Sequence, residues 1–97
     1  MSTYVSLINW TEQGIKNFRD STHRAQDFTN AVDKSGGHVR EILWTVGEYD
    51  IVSVLDLPDD EALTAILLQL GEMGNVRTKT MRGFTADEMG GIIERAG

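Results

Sequence analysis

The chain contains no cysteine, which excludes disulfides, thiolate metal sites and a thiol nucleophile. Positive charge is scarce. Nine Lys and Arg stand against fifteen Asp and Glu, a net charge of −6 and a pI near 4.7, and that sign opposes both nucleic-acid binding and docking on anionic lipid. No apolar run is long enough to span a membrane. Met1-Ser2-Thr3 leads straight into a strand pattern without the basic and apolar regions of a signal peptide, so a soluble, cytoplasmic protein is expected. The two histidines, His23 and His38, fall in no HxH or HxxxH spacing, and neither a metal site nor a cofactor is expected. The one proline, Pro58, marks a place where a strand must break.

What remains is an ordinary globular composition: 97 residues, 40% hydrophobic and 25% charged. That content argues against disorder and for one domain over residues 1–97. A monomer of this size buries only roughly 60–68% of its unfolded surface, so association would help it.

Tyr4 to Trp10 reads as a strand, with Val5 and Leu7 on one face and Tyr4, Ile8 and Trp10 on the other. Thr11 is placed to cap a helix whose apolar stripe runs Ile15, Phe18, Thr22, Ala25, Phe28, Val32. Ser35-Gly36-Gly37 ends it. Val39–Val46 and Tyr49–Leu55 are rich in β-branched and aromatic residues, and Gly47-Glu48 between them has the Gly-X order of a type II′ hairpin turn. That turn sets Trp44 opposite Ile51 and Leu43 opposite Val52. One face then collects Ile42, Trp44, Val46, Tyr49, Ile51 and Leu55, the other Val39, Leu43, Val52 and Val54 with Glu41, Asp50 and Asp56. After Pro58, Asp59 or Asp60 caps a second helix through Ala62, Leu63, Ile66, Leu67 and Leu70, stopped by Gly74-Asn75. Asp59, Asp60 and Glu61 suit the positive end of that helix. A charged edge strand follows over Val76–Gly83. Thr85-Ala-Asp-Glu88 has the form of a capping box and opens a short last helix with Met89, Ile92 and Ile93. Gly90 and Gly91 within it each cost roughly 1 kcal/mol relative to Ala, so this helix has to rely on docking.

The order βαββαβ plus a C-terminal helix predicts an α+β, ferredoxin-like fold: a four-stranded antiparallel sheet with two helices on one face. Two helices cover one sheet face, yet the first three strands are apolar on both. The second face is therefore expected to meet a copy of itself, giving a homodimer or larger homo-oligomer.

Three separated blocks, Gly47-Glu48-Tyr49-Asp50-Ile51-Val52, Trp10 to Lys16 and Gly74 to Thr78, resemble the GYD-domain family over nearly the whole chain. The resemblance implies a dimeric α/β barrel and a family whose biochemical role is largely unassigned. The hairpin is also similar to the effector-binding domains of Lrp/AsnC-type regulators, where small ligands such as amino acids bind between subunits near that turn. With the first strand starting at residue 4, such a chain would be a stand-alone effector module. The other relatives are the dimeric α/β-barrel monooxygenases, which oxidise substrates in a pocket between helices and sheet, in some cases without a cofactor. No catalytic signature matching theirs is present.

Candidate ligand-binding residues are Asn9, Trp10, Trp44, Tyr49, Asp50 and Arg77; candidate catalytic residues are His38, Tyr49 and Asp50. Each has a structural explanation beside the functional one. Asp50 suits a hydrogen bond within its own hairpin, and Tyr49 suits packing at the sheet end. Trp10 and Trp44 are expected as interface anchors, since Trp is enriched there. Arg77, Lys79 and Arg82 make the one basic cluster, able to hold a carboxylate or phosphate but equally expected of a protected sheet edge. His38 is expected on the face of Arg40, Ile42 and Trp44. The leading expectation is an oligomeric module holding a small, aromatic or carboxylated metabolite near the subunit interface. The competing ones are a cofactor-independent oxygenase or isomerase, and a purely structural assembly domain.

Overall fold

Period-two apolar patterning pairs four segments into one antiparallel sheet of order β2 (His38–Trp44), β3 (Ile51–Leu57), β1 (Ser2–Trp10), β4 (Val76–Gly83). The computed structural model describes residues 1–97. The helices are α1 (Glu12–Lys16), α2 (Ser21–Lys34), α3 (Asp60–Glu72) and α4 (Ala86–Ala96), with a 3₁₀ turn at Phe18–Asp20. The arrangement is the ferredoxin-like one expected. Ser6 lies opposite Ser53 and Thr80, and Ile8 opposite Ile51 and Thr78, so the even-numbered residues of β1 all point to the helices. Under α2 and α3, Tyr4, Leu55 and Leu57 pack with Val32, Leu63 and Ile66. Ile8, Ile51 and Val76 form a second cluster, flanked by Trp10, Ile42 and Leu70. The Tyr4 hydroxyl donates to Asp60 at 2.5 Å, tying β1 to the start of α3. Burial, and then that carboxylate, raise the Tyr4 phenol above its ordinary pKa.

Three local expectations are corrected. The single long helix after Thr11 is broken at Asn17, whose backbone leaves helical geometry (φ −110°, ψ 32°). Arg24 reaches back over the break and donates to Asn17 O at 2.8 Å and Gly14 O at 3.4 Å, carbonyls that also accept the Asp20 and Asn17 amides. The break shifts the helical phase: Ser21, not Thr22, is buried, and Ile15 and Phe18 are left exposed. Second, a bulge between Val39 and Glu41 turns Val39 toward the helices, opposite Leu55. An extra residue in one strand reverses the alternation on its far side, so His38 pairs with Asp56 on the other face, away from Trp44. Third, the hairpin keeps the expected register, Trp44 opposite Ile51 and Leu43 opposite Val52, but the ladder stops there. Beyond it the Thr45 amide donates to Asp50 O and the Thr45 hydroxyl to Tyr49 O, while Gly47 takes the positive φ of 131° that the turn needs.

The sheet face opposite α2 and α3 carries Val5, Leu7, Val52 and Val54, all half-buried, with Leu43 and Met81 about half exposed (52% and 50%). No element of the chain crosses it. Thr85 caps α4 through a complete capping box with Glu88, and Arg82 joins β4 to α4, 3.6 Å from Glu88 and 4.4 Å over the Phe84 ring. Yet no residue of α4 is buried, and Met89, Ile92 and Ile93 face solvent. The Cα radius of gyration is 14.5 Å, against about 12.5 Å for a compact chain of this length. With a long axis of 51 Å, the molecule is a small body with a projecting arm.

Candidate functional site

Small residues on α2 leave space beneath it. Ser21, Ala25, Phe28 and Ala31 face the sheet; Ile66 and Leu70 of α3, with Met73 just past its end, close the opposite side. The floor is Ile8, Trp10, Ile42, Ile51, Ser53 and Val76. The resulting cavity holds about 130 Å³, near the ~150 Å³ of an apolar protein cavity large enough for benzene. Its mouth lies between α2 and α3, where Arg24, Asp27, Gln69 and Asn75 meet the exposed Met73. The Arg24 guanidinium is committed to the carbonyls of Gly14 in α1 and of Asn17 just after it, so the charged groups form a rim and the interior is apolar.

Two polar atoms of lining residues are themselves inaccessible. Trp10 Nε1 and Ser53 Oγ are buried without a hydrogen-bond partner in the protein, and Ser53 is only 1% exposed. An unpaired buried donor costs roughly 1–3 kcal/mol. Comparable groups nearby are matched: Ser6 Oγ lies 2.9 Å from Thr80 Oγ1, and Trp44 Nε1 donates to Ser21 Oγ at 2.9 Å.

The residues singled out from sequence divide into two groups. Trp10 and Trp44 stand on the helix side, Trp10 lining the cavity and Trp44 holding Ser21 against β2. Neither lies on the open face, which removes both from the surface expected to meet a second copy. Asn9 and Arg77 pair across β1 and β4 on the open side, beside Lys79, and Lys79 sits 5.9 Å over the Tyr49 ring. Asp50 is structural in position: its Oδ2 accepts the Trp10 amide at 2.9 Å and its own amide donates to Ile8 O. His38 is exposed at the start of β2. Those three catalytic candidates are thus not brought together. Ser21, Ala25, Phe28 and Ser53 were not singled out as site residues. A serine inside the otherwise apolar Ile51–Leu55 run is the signal that could have found Ser53. No His, Lys or Tyr lines the cavity, and its titratable lining groups, Arg24 and Asp27, stand at the mouth. The arrangement can bind and orient a molecule; it offers no paired nucleophile and base.

One further electrostatic feature sits on the open face. Burial disfavours the Asp56 carboxylate, but the Thr3 hydroxyl at 2.7 Å and Arg40 Nε at 2.6 Å outweigh it and hold Asp56 below its ordinary value of 3.8. A carboxyl lowered on folding stabilises the folded state fully above its unfolded pKa, and that contribution is lost as pH falls through the folded value. Asp56→Asn is therefore expected to lower stability at pH 7 by about 1 kcal/mol, a figure kept small because Arg40 is half exposed. In urea melts the difference from the parent protein should shrink as pH falls below 3.8 toward the lowered value of Asp56 in the folded protein.

Sheet, helices and cavity together define a ferredoxin-like α+β module with a recess between its helices and its sheet. Residues 4–93 match the profile of the GYD domain. The chain belongs to that family, as its hairpin and flanking blocks indicate. Among solved structures it is similar to TTHA0845 from Thermus thermophilus, at 28% identity and a TM-score of 0.55, over 89% of this chain and 96% of that one. It is also similar in fold to FFRP-DM1, at 17% identity and a TM-score of 0.62, over 87% of this chain and all of the other. No curated protein matches it. No helix is long and apolar enough to cross a membrane.

Proposed function

We propose that this GYD-domain protein is a homodimeric small-molecule-binding module, with one binding cavity inside each subunit between helices and sheet. The observation that carries the reading is the apolar cavity itself, about 130 Å³ and open between α2 and α3. Close packing normally leaves few voids larger than a water molecule. Binding is favoured over turnover because the interior is apolar and the one carboxylate of the lining, Asp27, stands at the mouth.

The second half of the proposal concerns the open face. Four strands about 4.8 Å apart and seven residues long present roughly 440 Å², about half of the ~800 Å² per partner of a standard interface. The apolar stripe of α4 lies next in the chain to that face and adds to it. A second copy covering both also gives α4 the docking that Gly90 and Gly91 require.

Native mass spectrometry of freshly purified protein tests both halves. The expected result is a species of twice the 10.8 kDa chain mass carrying a small molecule that is lost on denaturation. Ala25→Leu, which fills the cavity, should abolish that adduct without changing the subunit count. A monomer would remove the pairing; an adduct that survives Ala25→Leu would remove the cavity.

A further inference from the structure

We infer that the open sheet face carries a second binding site at its β4 edge, where Arg77 and Lys79 hold the phosphate group of a small phosphate ester. The site is separate from the cavity beneath the helices, and three observations define it.

Unpaired charge comes first. In a chain of net charge −6, Lys16, Arg40 and Arg82 pair with Glu12, Asp56 and Glu88, and Arg24 is bonded to backbone carbonyls. Arg77 and Lys79 make no ion pair. They stand two residues apart on β4, so both side chains leave the same face with ~7 Å between their backbone positions. Their partners across β1 are Asn9 and Leu7, both uncharged. Asp50 lies on the β3 side of β1, where its Oδ2 accepts the Trp10 amide.

Access and shape come second. Arg77 and Lys79 are both exposed, so an anion reaches them directly from water. β4 is an edge strand, and a groove wraps its edge, lined by Arg77, Thr78 and Lys79 with Asn9 of β1 and Leu67 and Gly71 of α3. Its volume of about 400 Å³ falls within the roughly 300–1,000 Å³ of small-molecule sites. No Asp or Glu lines it. Lys79 is steadied by the Tyr49 ring, with its ammonium 5.9 Å from the centroid. A Cβ at Gly71 would meet nothing within 4 Å, so room for the organic part of the ester remains beside α3.

Chemistry comes third. The Arg77 guanidinium presents a planar fork that matches phosphate oxygens two at a time, and the Lys79 ammonium adds a point charge. The Asn9 amide supplies neutral donors beside them, and the outward amides of an edge strand supply more. A phosphate ester carries a charge of about −1.5 to −2 at pH 7, which two cations match; a carboxylate carries one and leaves a cation unneutralised. Protecting the edge from another strand would need the charge alone, without the groove.

The test titrates the whole ¹⁵N-labelled protein with phenyl phosphate, inorganic phosphate, benzoate and phenol at about pH 7.5, where the ester is dianionic. The expected order is phenyl phosphate tightest, then inorganic phosphate, then benzoate, with phenol silent at this site and amide shifts centred on Asn9, Arg77 and Lys79. Arg77→Gln and Lys79→Gln should each weaken phenyl phosphate roughly threefold to tenfold. Lys34→Gln, which removes a charge from the last turn of α2, should change it by less than about twofold. Ala25→Leu should leave it unchanged, so failure of the cavity reading and failure of this site are told apart. Equal loss from Lys34→Gln and Arg77→Gln would reduce the effect to net charge and overturn the site. Tightest binding by benzoate, or equal binding of inorganic and phenyl phosphate, would overturn the ligand class. No shift at Asn9, Arg77 or Lys79 with any anion would overturn the whole inference and leave the two cations as protection for the edge.

Discussion

Gly14→Ala is expected to destabilise the protein by roughly 3 kcal/mol, the upper range for forced overpacking, out of the roughly 5–15 kcal/mol available to a chain of this length. A Cβ at residue 14 would sit 1.9 Å from Asn75 O and 2.9 Å from Asn75 C. Both are backbone atoms and cannot swing aside. Relief requires α1 to leave the head of β4, breaking the Thr11 amide bond to Asn75 O at 3.1 Å and the Thr11 hydroxyl bond to Gly74 O at 2.6 Å. That same corner carries Asn75 at the mouth of the cavity and Trp10 on its floor. The urea midpoint should therefore fall by about 1–3 M, and any ligand affinity with it. Gly71→Ala is the control, because a Cβ there meets nothing within 4 Å; it should be neutral or stabilising by up to ~1 kcal/mol. Equal midpoints for the two variants would show that the α1–β4 contact is looser than the geometry makes it.

The paired substitution Leu43→Glu with Met81→Glu is expected to convert the proposed dimer to monomer. Both side chains are about half exposed in the single subunit, so each subunit should keep its far-ultraviolet circular dichroism. In a face-to-face pair the new carboxylates would lose their water, and the basic residues on that face, Arg77 and Lys79, lie along its β4 edge. Each such charge costs several kcal/mol, so dissociation should increase at least ~1,000-fold. Sedimentation equilibrium would then report the single-chain mass of 10.8 kDa. A folded variant that still pairs would place the contact elsewhere, with α4 as the surface to examine next.

Much of the fold is legible in the residues because independent signals agree. At α3, Pro58, the Asp59 cap and Gly74 bracket an apolar stripe, and the helix runs Asp60–Glu72 with the Asp59 side chain accepting the Ala62 amide. At α4, the Thr85 to Glu88 spacing yields the full capping box. Failures arose where one residue outweighs a pattern. Arg24 bonds to carbonyls ten and seven residues before it, bracing a break that an unbroken apolar stripe conceals. The bulge at Arg40 is set by its pairing with Asp56, sixteen residues away, and moves His38 to the opposite face. The site was harder to read. Gly-x-Tyr-Asp drew attention to Tyr49 and Asp50, but Asp50 serves to hold the Trp10 amide. A cavity arises from what small residues on two different elements fail to fill, and Ala25 and Ser53 leave no local mark of that kind.

The capping box and the Arg82–Glu88 pair also make α4 a lever. Eleven residues at 1.5 Å each give a rod of ~16 Å pivoting just beyond β4. A tilt of ten degrees at Phe84–Thr85 therefore sweeps the tip through about 3 Å, enough to change which neighbour Ile92 and Ile93 touch.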